Sequence, residues 1–391
     1  MKIKLGVIFG GETVEHEVSI ISALQAIKNI DRTKYDVVPI YISKDRIWYY
    51  GNILKDVDTY KDFSSVKKYL KEVTLCKKDD RFVLINTRGI FRKEIDELDV
   101  ILPVVHGNNV EDGSLAGYLD TVGIPYVSSR VLGSALGQDK VVMKQVMTSC
   151  DIPVVDYVWF YDTEYLSESD EILKKIKKMG YPVIVKPSTL GSSIGISKAH
   201  DEKEVKNAID EAIEYDTKIV VEKAVDNLLE VNASVLGNYE TAKVSPLEEV
   251  MGEDEILSYQ DKYLSGSKTK SGGSKGMAST NRIIPARISE KLTKDIQDTA
   301  LKTFKALNLS GVCRIDFLID KDSKKYYVNE PNTIPGSLSY YLWKEDNLEY
   351  KDLLNEMINL CIKEYKNRNR KTRSFTSNIL EGFNGSKGIK K

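Results

Sequence analysis

Two stretches constrain this chain more than any others: Arg314-Ile315-Asp316 and Val328-Asn329-Glu330-Pro331-Asn332-Thr333-Ile334-Pro335-Gly336. Side chains alternate faces along a strand. Over residues 313–320, Arg314 and Asp316 fall on one face, while Cys313, Ile315, Phe317 and Ile319 fall on an apolar one. Over 326–332, Val328, Glu330 and Asn332 share a face. The intervening Asp320-Lys321-Asp322-Ser323-Lys324-Lys325 is polar enough for a hairpin loop. The pattern predicts an antiparallel pair that gathers Asp316, Glu330 and Asn332 beside Arg314. Three hard oxygen donors on rigid strands suit Mg²⁺, which keeps part of its water shell and fills other positions with phosphate oxygens. The plainer alternative is a solvated hairpin face.

At 391 residues the chain has room for two or three domains, each with its own core. A net charge of −1 gives no general attraction to nucleic acid or membrane. No apolar run reaches the roughly eighteen residues a membrane helix needs, and the N-terminus reads as a first buried strand, not a signal peptide. Cys76, Cys150, Cys313 and Cys361 show no CxxC spacing and read as structural thiols of a reducing cytoplasm. Histidine occurs only at 16, 106 and 200, which disfavours a histidine-rich metal site.

Residues 1–128 alternate strand and helix signals: strands at 5–9, 37–42 and 100–105, helices at 17–30 and 115–121. This predicts an α/β domain with a largely parallel sheet, where ligands sit at the carboxyl ends of strands. Residues 129–221 read as a second domain. It has helices at 131–136, 141–149 and 169–179, strands at 154–161, 181–187 and 194–198, and an apolar stripe at Val205, Ala208, Ile209, Ala212 and Ile213. Residues 222–370 form a third, with strands near 228–236 and 240–244, a long basic loop at 261–284 that reads as a lid, a helix at 290–307 capped by Ser289, the hairpin, and a last helix at 350–365. Residues 371–391 read as a disordered basic tail.

Further constellations carry chemistry. Lys186 ends a strand, and Gly191-Ser192-Ser193-Ile194-Gly195 follows at once. A glycine-rich turn between two strands can fold N–H groups over phosphates, or be a plain hairpin turn. Glu222-Lys223-Ala224-Val225, with Glu230 eight residues after Glu222, reads as a linker facing an adenine and ribose or as a solvated hinge. Glu15 opens a helix after Gly10-Gly11, where it can hold an ammonium or act as an ordinary acidic N-terminal residue.

Taken in order, these motifs resemble those of the D-alanine–D-alanine ligases, within the ATP-grasp superfamily. The matching residues are Gly10-Gly11 with Glu15-His16-Glu17-Val18-Ser19, His106-Gly107 with Glu111-Asp112-Gly113, Asp139-Lys140, Lys186-Pro187 with the glycine-rich turn, Glu222-Lys223, Glu230, Lys262-Tyr263, and the hairpin motifs. The resemblance spans roughly residues 3–365. It implies an α/β (α+β) ATP-grasp fold, in which an N-terminal parallel α/β domain precedes two α+β domains that clamp ATP. It further implies that ATP phosphorylates the carboxylate of one D-alanine and that the amine of a second attacks the acyl phosphate, giving D-alanyl-D-alanine for peptidoglycan precursors. Asp316, Glu330 and Asn332 would hold Mg²⁺, two ions by the resemblance, with Mn²⁺ able to substitute. Lys140, Lys186 and Lys262 would contact phosphates, Glu222 and Glu230 the adenine and ribose, and Ser193, Lys223 and Val225 would complete the ATP site. Glu15 would bind the first ammonium, with Ser192 and Tyr263 linked to it across the closed site. His106 would lie near the first carboxylate. Arg314 and the Gly336 N–H would stabilise the tetrahedral intermediate. A cytoplasmic homodimer is implied, without nucleic-acid or membrane partners.

Departures from the family pattern cluster on the acceptor side. Val110 stands within His106-Gly107-Asn108-Asn109-Val110-Glu111, where the family usually reads HGxxGE. Tyr341-Leu342 occupies the place of a Ser-Leu pair that helps bind the second substrate's carboxylate, and the lid is longer than usual. The same chemistry with D-serine as acceptor is therefore the second hypothesis, and a non-catalytic ATP-binding regulator the third.

Overall fold

The computed structural model describes residues 2–89, 92–251, 282–372, 374–375 and 377–378. Lys262 and Tyr263, the lid up to residue 281 and most of the tail lie outside the described residues.

The N-terminal body is built on β1 (Ile3–Gly10), β2 (Tyr35–Ile42), β3 (Trp48–Tyr50), β4 (Lys71–Lys78), β5 (Arg81–Asn86), β6 (Glu94–Leu98) and β7 (Val100–Val104). The sheet order is β6-β5-β4-β3-β2-β1-β7. Only β1 with β2 and β1 with β7 are parallel; the other pairings are antiparallel. The expected largely parallel sheet is thus a mixed one. Antiparallel neighbours need only a two-residue turn, and the Lys78↔Arg81 pairing leaves Asp79-Asp80 as that turn, with Asp79 at φ 53°. Helix α1 (His16–Asn29) leaves the carboxyl end of β1, and α2 (Ser114–Val122) follows β7. Ser19 Oγ fixes α1 to both strands by accepting from Gly10 N (2.7 Å) and donating to the Val104 carbonyl (2.6 Å). His16 is structural as well, its ring nitrogens bonded to the Gly11 carbonyl and the Tyr41 hydroxyl.

Helices α3 (Val131–Gln138) and α4 (Lys140–Ser149) lead out of this body. Asp139 caps α4 by accepting from Val141 N and Val142 N, and Met143 and Met147 enter the core of the third body. The second body is the antiparallel sheet β10-β9-β11-β8, built from β8 (Tyr157–Tyr161), β9 (Val183–Pro187), β10 (Ser197–Ala199) and β11 (Lys218–Lys223). Helices α5 (Asp162–Met179) and α6 (Glu202–Ile213) cover it. The predicted stripe of α6 buries Val205, Ala208, Ile209 and Ala212 completely or nearly so, and Ile213 in part.

The third body orders β15-β14-β12-β16-β17, with β13 also pairing β12. Its strands are β12 (Leu228–Gly237), β13 (Ala242–Val244), β14 (Glu248–Val250), β15 (Arg282–Ile283), β16 (Gly311–Asp320) and β17 (Tyr326–Asn332). Helix α7 (Glu290–Ala306) begins at Ser289, whose hydroxyl accepts from Leu292 N as predicted. Pro331 sits on edge strand β17, where a missing N–H costs no ladder bond. Helix α8 (Tyr350–Asn369) returns to the N-terminal body, so that Leu353, Leu354, Met357 and Ile358 share a core with Leu5 and Ile8.

After Gly336 the chain makes a left-handed turn: Ser337, Leu338 and Ser339 have φ of 53°, 52° and 50°. Each costs about 1–2 kcal/mol relative to a right-handed residue. The buried Ser339 hydroxyl also has no hydrogen-bond partner among the described residues. Ser339→Gly removes both penalties, and urea unfolding should show a gain of about 1 kcal/mol; a loss of stability would mean that the turn is not strained there.

Candidate active site

Cross-strand register builds the site. Glu248 of β14 lies opposite Asn232 of β12, Asn232 opposite Asp316 of β16, and Asp316 opposite Glu330 of β17. One polar row therefore crosses four strands. The next row holds Ser234, Arg314 and Asn332. The expected gathering of Asp316, Glu330 and Asn332 beside Arg314 is present, with one correction. The register shifts between Asp316 and Phe317, so Val328 pairs with Phe317 and Asn329 is an extra residue. Val328 consequently turns into the core and does not share the face of Glu330. The bulge re-aims Asn329, whose Oδ1 accepts from Lys186 Nζ at 3.2 Å. Arg314 forks onto Asp316 through Nε (2.6 Å) and Nη2 (2.7 Å), and Asn332 Nδ2 donates to Asp316 Oδ2 at 3.1 Å. Asp316, Glu330 and Asn332 thus present three oxygen-bearing side chains from adjacent strands into one cavity, a donor set that fits Mg²⁺.

The row lies where two clefts meet. The first runs between the second and third bodies and is lined by Lys186, Ser193, Lys223, Val225 and Glu230. Lys140 reaches both clefts; its Nζ donates to the Leu190 carbonyl (2.6 Å) and lies 3.3 Å from Glu330. The Lys223 ammonium turns onto the Tyr181 carbonyl at 2.8 Å. Glu222 lines this cleft as well. Its carboxylate is 2% exposed, accepts from Lys186 at 2.8 Å, and faces Lys144 at 3.1 Å without hydrogen-bond alignment. It holds two lysines, and Glu230 lines the same cleft eight residues further on. Burial opposes the Glu222 charge, but Lys144 and Lys186 outweigh it and pull the carboxyl down to about 2. Burial would lower Lys186 too, yet Glu222 and then Glu330 raise it; for wholly buried Lys144, burial wins and lowers it. Lys144 was not anticipated, although a lysine four residues after Lys140 on an apolar helix was a usable signal.

The second cleft opens toward the N-terminal body and is lined by Glu15, His106, Glu111, Ser192 and Gly336, among others. The glycine-rich turn crosses above it, and Ser192 Oγ donates to Glu15 Oε1. A Cβ on Gly191 would stand 2.9 Å from the Glu15 carboxylate, so a side chain there would push that carboxylate aside. His106 is buried, with burial lowering its pKa and keeping the ring neutral. The Ile334 carbonyl at 2.8 Å requires a proton on Nδ1, so Nε2 accepts from Ser22 Oγ at 3.2 Å. The same hydroxyl accepts from Ser337 N at 3.0 Å. His106 therefore holds the turn that carries Gly336.

Glu111 makes the matching tie, accepting from Gly107 N, Thr333 Oγ1 and Ile334 N. Burial, followed by the charge of Glu15, pushes its carboxyl up to about 7. A raised carboxylate pKa means that the folded chain binds this proton more tightly than the unfolded chain does. Its contribution to stability is therefore lost as pH rises from about 4.5 through about 7. Glu111→Gln removes that slope, so the variant should gain on the parent between pH 5 and pH 8 in urea unfolding; a pH-independent difference would contradict the assignment.

The acceptor side also departs from expectation. Leu342 is in the core, and Tyr341 does not reach the cavity wall. The Arg282 guanidinium covers the Tyr341 ring at 3.8 Å, and Arg282 and Glu248 face the cavity instead. Neither was anticipated from sequence, because the short pairing of β14 with β15 joins segments on either side of residues 252–281.

Two α+β bodies around a lysine-lined cleft, beside an N-terminal α/β body, define a fold of the ATP-grasp class. The family model for the D-ala D-ala ligase N-terminus matches residues 4–129, and that for the D-ala D-ala ligase C-terminus matches 146–359. A D-alanine–D-alanine ligase of Thermosipho melanesiensis is 39% identical over 383 residues, covering 97% of this chain and 98% of that protein. One of Clostridium acetobutylicum is 38% identical over 368 residues, covering 92% and 98%. Among solved structures, the D-alanine-D-alanine ligase from Coxiella burnetii superposes with TM-score 0.78 at 26% identity, covering 94% of this chain and 96% of that one. The VanG D-Ala:D-Ser ligase from Enterococcus faecalis superposes at 0.76 with 31% identity, covering 92% and 100%. The chain belongs to the D-alanine–D-alanine ligase family.

Proposed function

We propose that this protein is an ATP-dependent, ADP-forming ligase that joins two D-alanines into D-alanyl-D-alanine for peptidoglycan precursors. The polar row from Glu248 to Glu330 carries the reading. One end meets the lysines of the first cleft, and the cavity it faces is also lined by Glu15, a carboxylate suited to an ammonium. A carboxylate is a poor acyl donor because oxide is a poor leaving group. Attack of its oxygen on the γ-phosphorus, with loss of ADP, makes an acyl phosphate. Attack by the second amine then expels phosphate and forms the amide.

Such transfer depends mainly on positioning and charge neutralisation. Lys140 and Lys186 receive the phosphates, with Lys186 held in place by Glu222 and Asn329. Asp316, Glu330 and Asn332 hold Mg²⁺ or Mn²⁺, which when bound neutralises phosphate charge. Glu15, oriented by Ser192, takes the donor ammonium. Arg314, fixed on Asp316, and the Gly336 N–H face the developing oxyanion. Glu230 takes ribose, while Ser193, Lys223 and Val225 wall the nucleotide cleft. Lys262 and Tyr263 complete the site in this reading from outside the described residues. The reading includes a cytoplasmic homodimer. No described helix is long and apolar enough to cross a membrane, and all four cysteines are free.

The second reading, D-serine as acceptor, draws on the altered acceptor end. Phosphate release with ATP and Mg²⁺, using D-alanine alone and then with D-serine, D-lactate or L-alanine, separates the two when products are identified by mass. D-Alanyl-D-alanine from D-alanine alone is expected. Turnover only with D-serine would move the function to the second reading, and no turnover with any amino acid would refute both.

A further inference from the structure

The charges lining the second cleft pose a question that the proposed function leaves open: what holds the carboxylate of the attacking amino acid. Its amine must reach the acyl phosphate over the Asp316–Glu330 end of the row, so its carboxylate needs a cation farther along. Lys140 stands at the phosphate end beside Glu330. Arg314 has Nε and Nη2 both engaged by Asp316. Arg282 stands at the opposite end. It lies across from Val250 on the edge strand, on the face that carries Glu248, and lines the cavity with both. Its side chain is 12% exposed.

We propose that Arg282, held against the Tyr341 ring by Glu248, positions the acceptor's carboxylate and thereby decides which amines are accepted. This rests on the ligase reading above. The guanidinium is fixed from two sides: its centre lies 3.8 Å from the Tyr341 ring centroid, and Nη1 lies 3.1 Å from Glu248 Oε1. Glu248 is tied in turn by Asn232 Nδ2 and by the Tyr341 hydroxyl, each donating to Oε2 at 3.3 Å. A planar guanidinium stacked on an aromatic ring is preorganised for fork-like recognition of a carboxylate, which a lysine ammonium does not reproduce. The large Tyr341 thus serves as a platform for Arg282 and need not touch the substrate.

The test compares two acceptors that differ only in this carboxylate, D-alanine and D-alaninamide, in the full-length protein with ATP and Mg²⁺. Arg282→Ala is expected to raise the second-site KM for D-alanine about tenfold to a hundredfold, to leave ligation to D-alaninamide within about twofold, and to spare the KM for ATP. Arg282→Lys should recover part of the D-alanine affinity. Thermal unfolding of both variants checks that they fold. Equal losses with both acceptors, or an unchanged second-site KM in both variants, would overturn the proposal. A parent protein that forms no D-alanine-dependent product would instead overturn the ligase reading, and this inference with it.

Discussion

Glu330→Gln should abolish ligation while leaving the fold intact. Glu330 sits at the end of the polar row, faces both clefts, and its side chain is 27% exposed. Glutamine keeps the shape and one carbonyl oxygen but removes the charge that faces Lys140 and, in the proposed function, the divalent ion. Glu330 is partly exposed and Lys140 keeps its bond to the Leu190 carbonyl, so the stability cost is expected to be modest, about 1–2 kcal/mol. The transition state loses much more, because ionic stabilisation of a transferring phosphoryl group is worth several kcal/mol and each 1.36 kcal/mol is tenfold in rate. A fall in kcat of about a thousandfold or more is expected, with a cooperative urea transition retained and Mg²⁺-dependent ATP binding weakened. Retention of a tenth of the parent activity would remove Glu330 from the metal site.

The largest stability effect is expected at Glu222. This carboxylate lies between Lys144, whose side chain is 0% exposed, and Lys186, at 9%. Glu222→Gln leaves two buried ammonium groups facing an amide. Breaking a buried ion pair from one side costs about 3–5 kcal/mol, because the charge left behind is uncompensated. Lys186 keeps the influence of Glu330 and the bond to Asn329, whereas Lys144 loses its closest counter-charge. The pH dependence follows from the direction of the shift. Glu222 titrates lower in the folded than in the unfolded chain, so its contribution is complete above about 4.5 and is lost as pH falls toward about 2. Urea unfolding at neutral pH should show the full loss, and the difference between parent and variant should narrow on acidification. A loss below about 1 kcal/mol would show that the three charges are not coupled as described.

The central hairpin was legible because its signal is local. Alternation assigned Arg314 and Asp316 to one face and Cys313, Ile315, Phe317 and Ile319 to the other, and a run of six polar residues marked the turn. The bulge at Asn329 was not legible, since one extra residue changes neither composition nor hydropathy, yet it separates Val328 from Glu330. Strands β3 to β6 were missed for a related reason: stretches such as Lys71–Lys78 carry charge on their outer positions and turn without glycine or proline. The lysine partners of Glu222 were not legible, because sequence cannot show that its two oxygens meet lysines from two other elements. Tyr341 read as a pocket wall because sequence shows the substitution but not the arginine stacked over it. In each case a residue's type was informative, and its partners were fixed only by pairing between distant segments.

Oxygen transfer tests the central claim most directly. In ligation through an acyl phosphate, one carboxylate oxygen of the donor leaves with phosphate. With D-alanine carrying ¹⁸O in its carboxylate, the account predicts one ¹⁸O atom in the inorganic phosphate for every D-alanyl-D-alanine formed. Phosphate free of ¹⁸O, with dipeptide still produced, would contradict the acyl phosphate and the roles assigned to the residues around it.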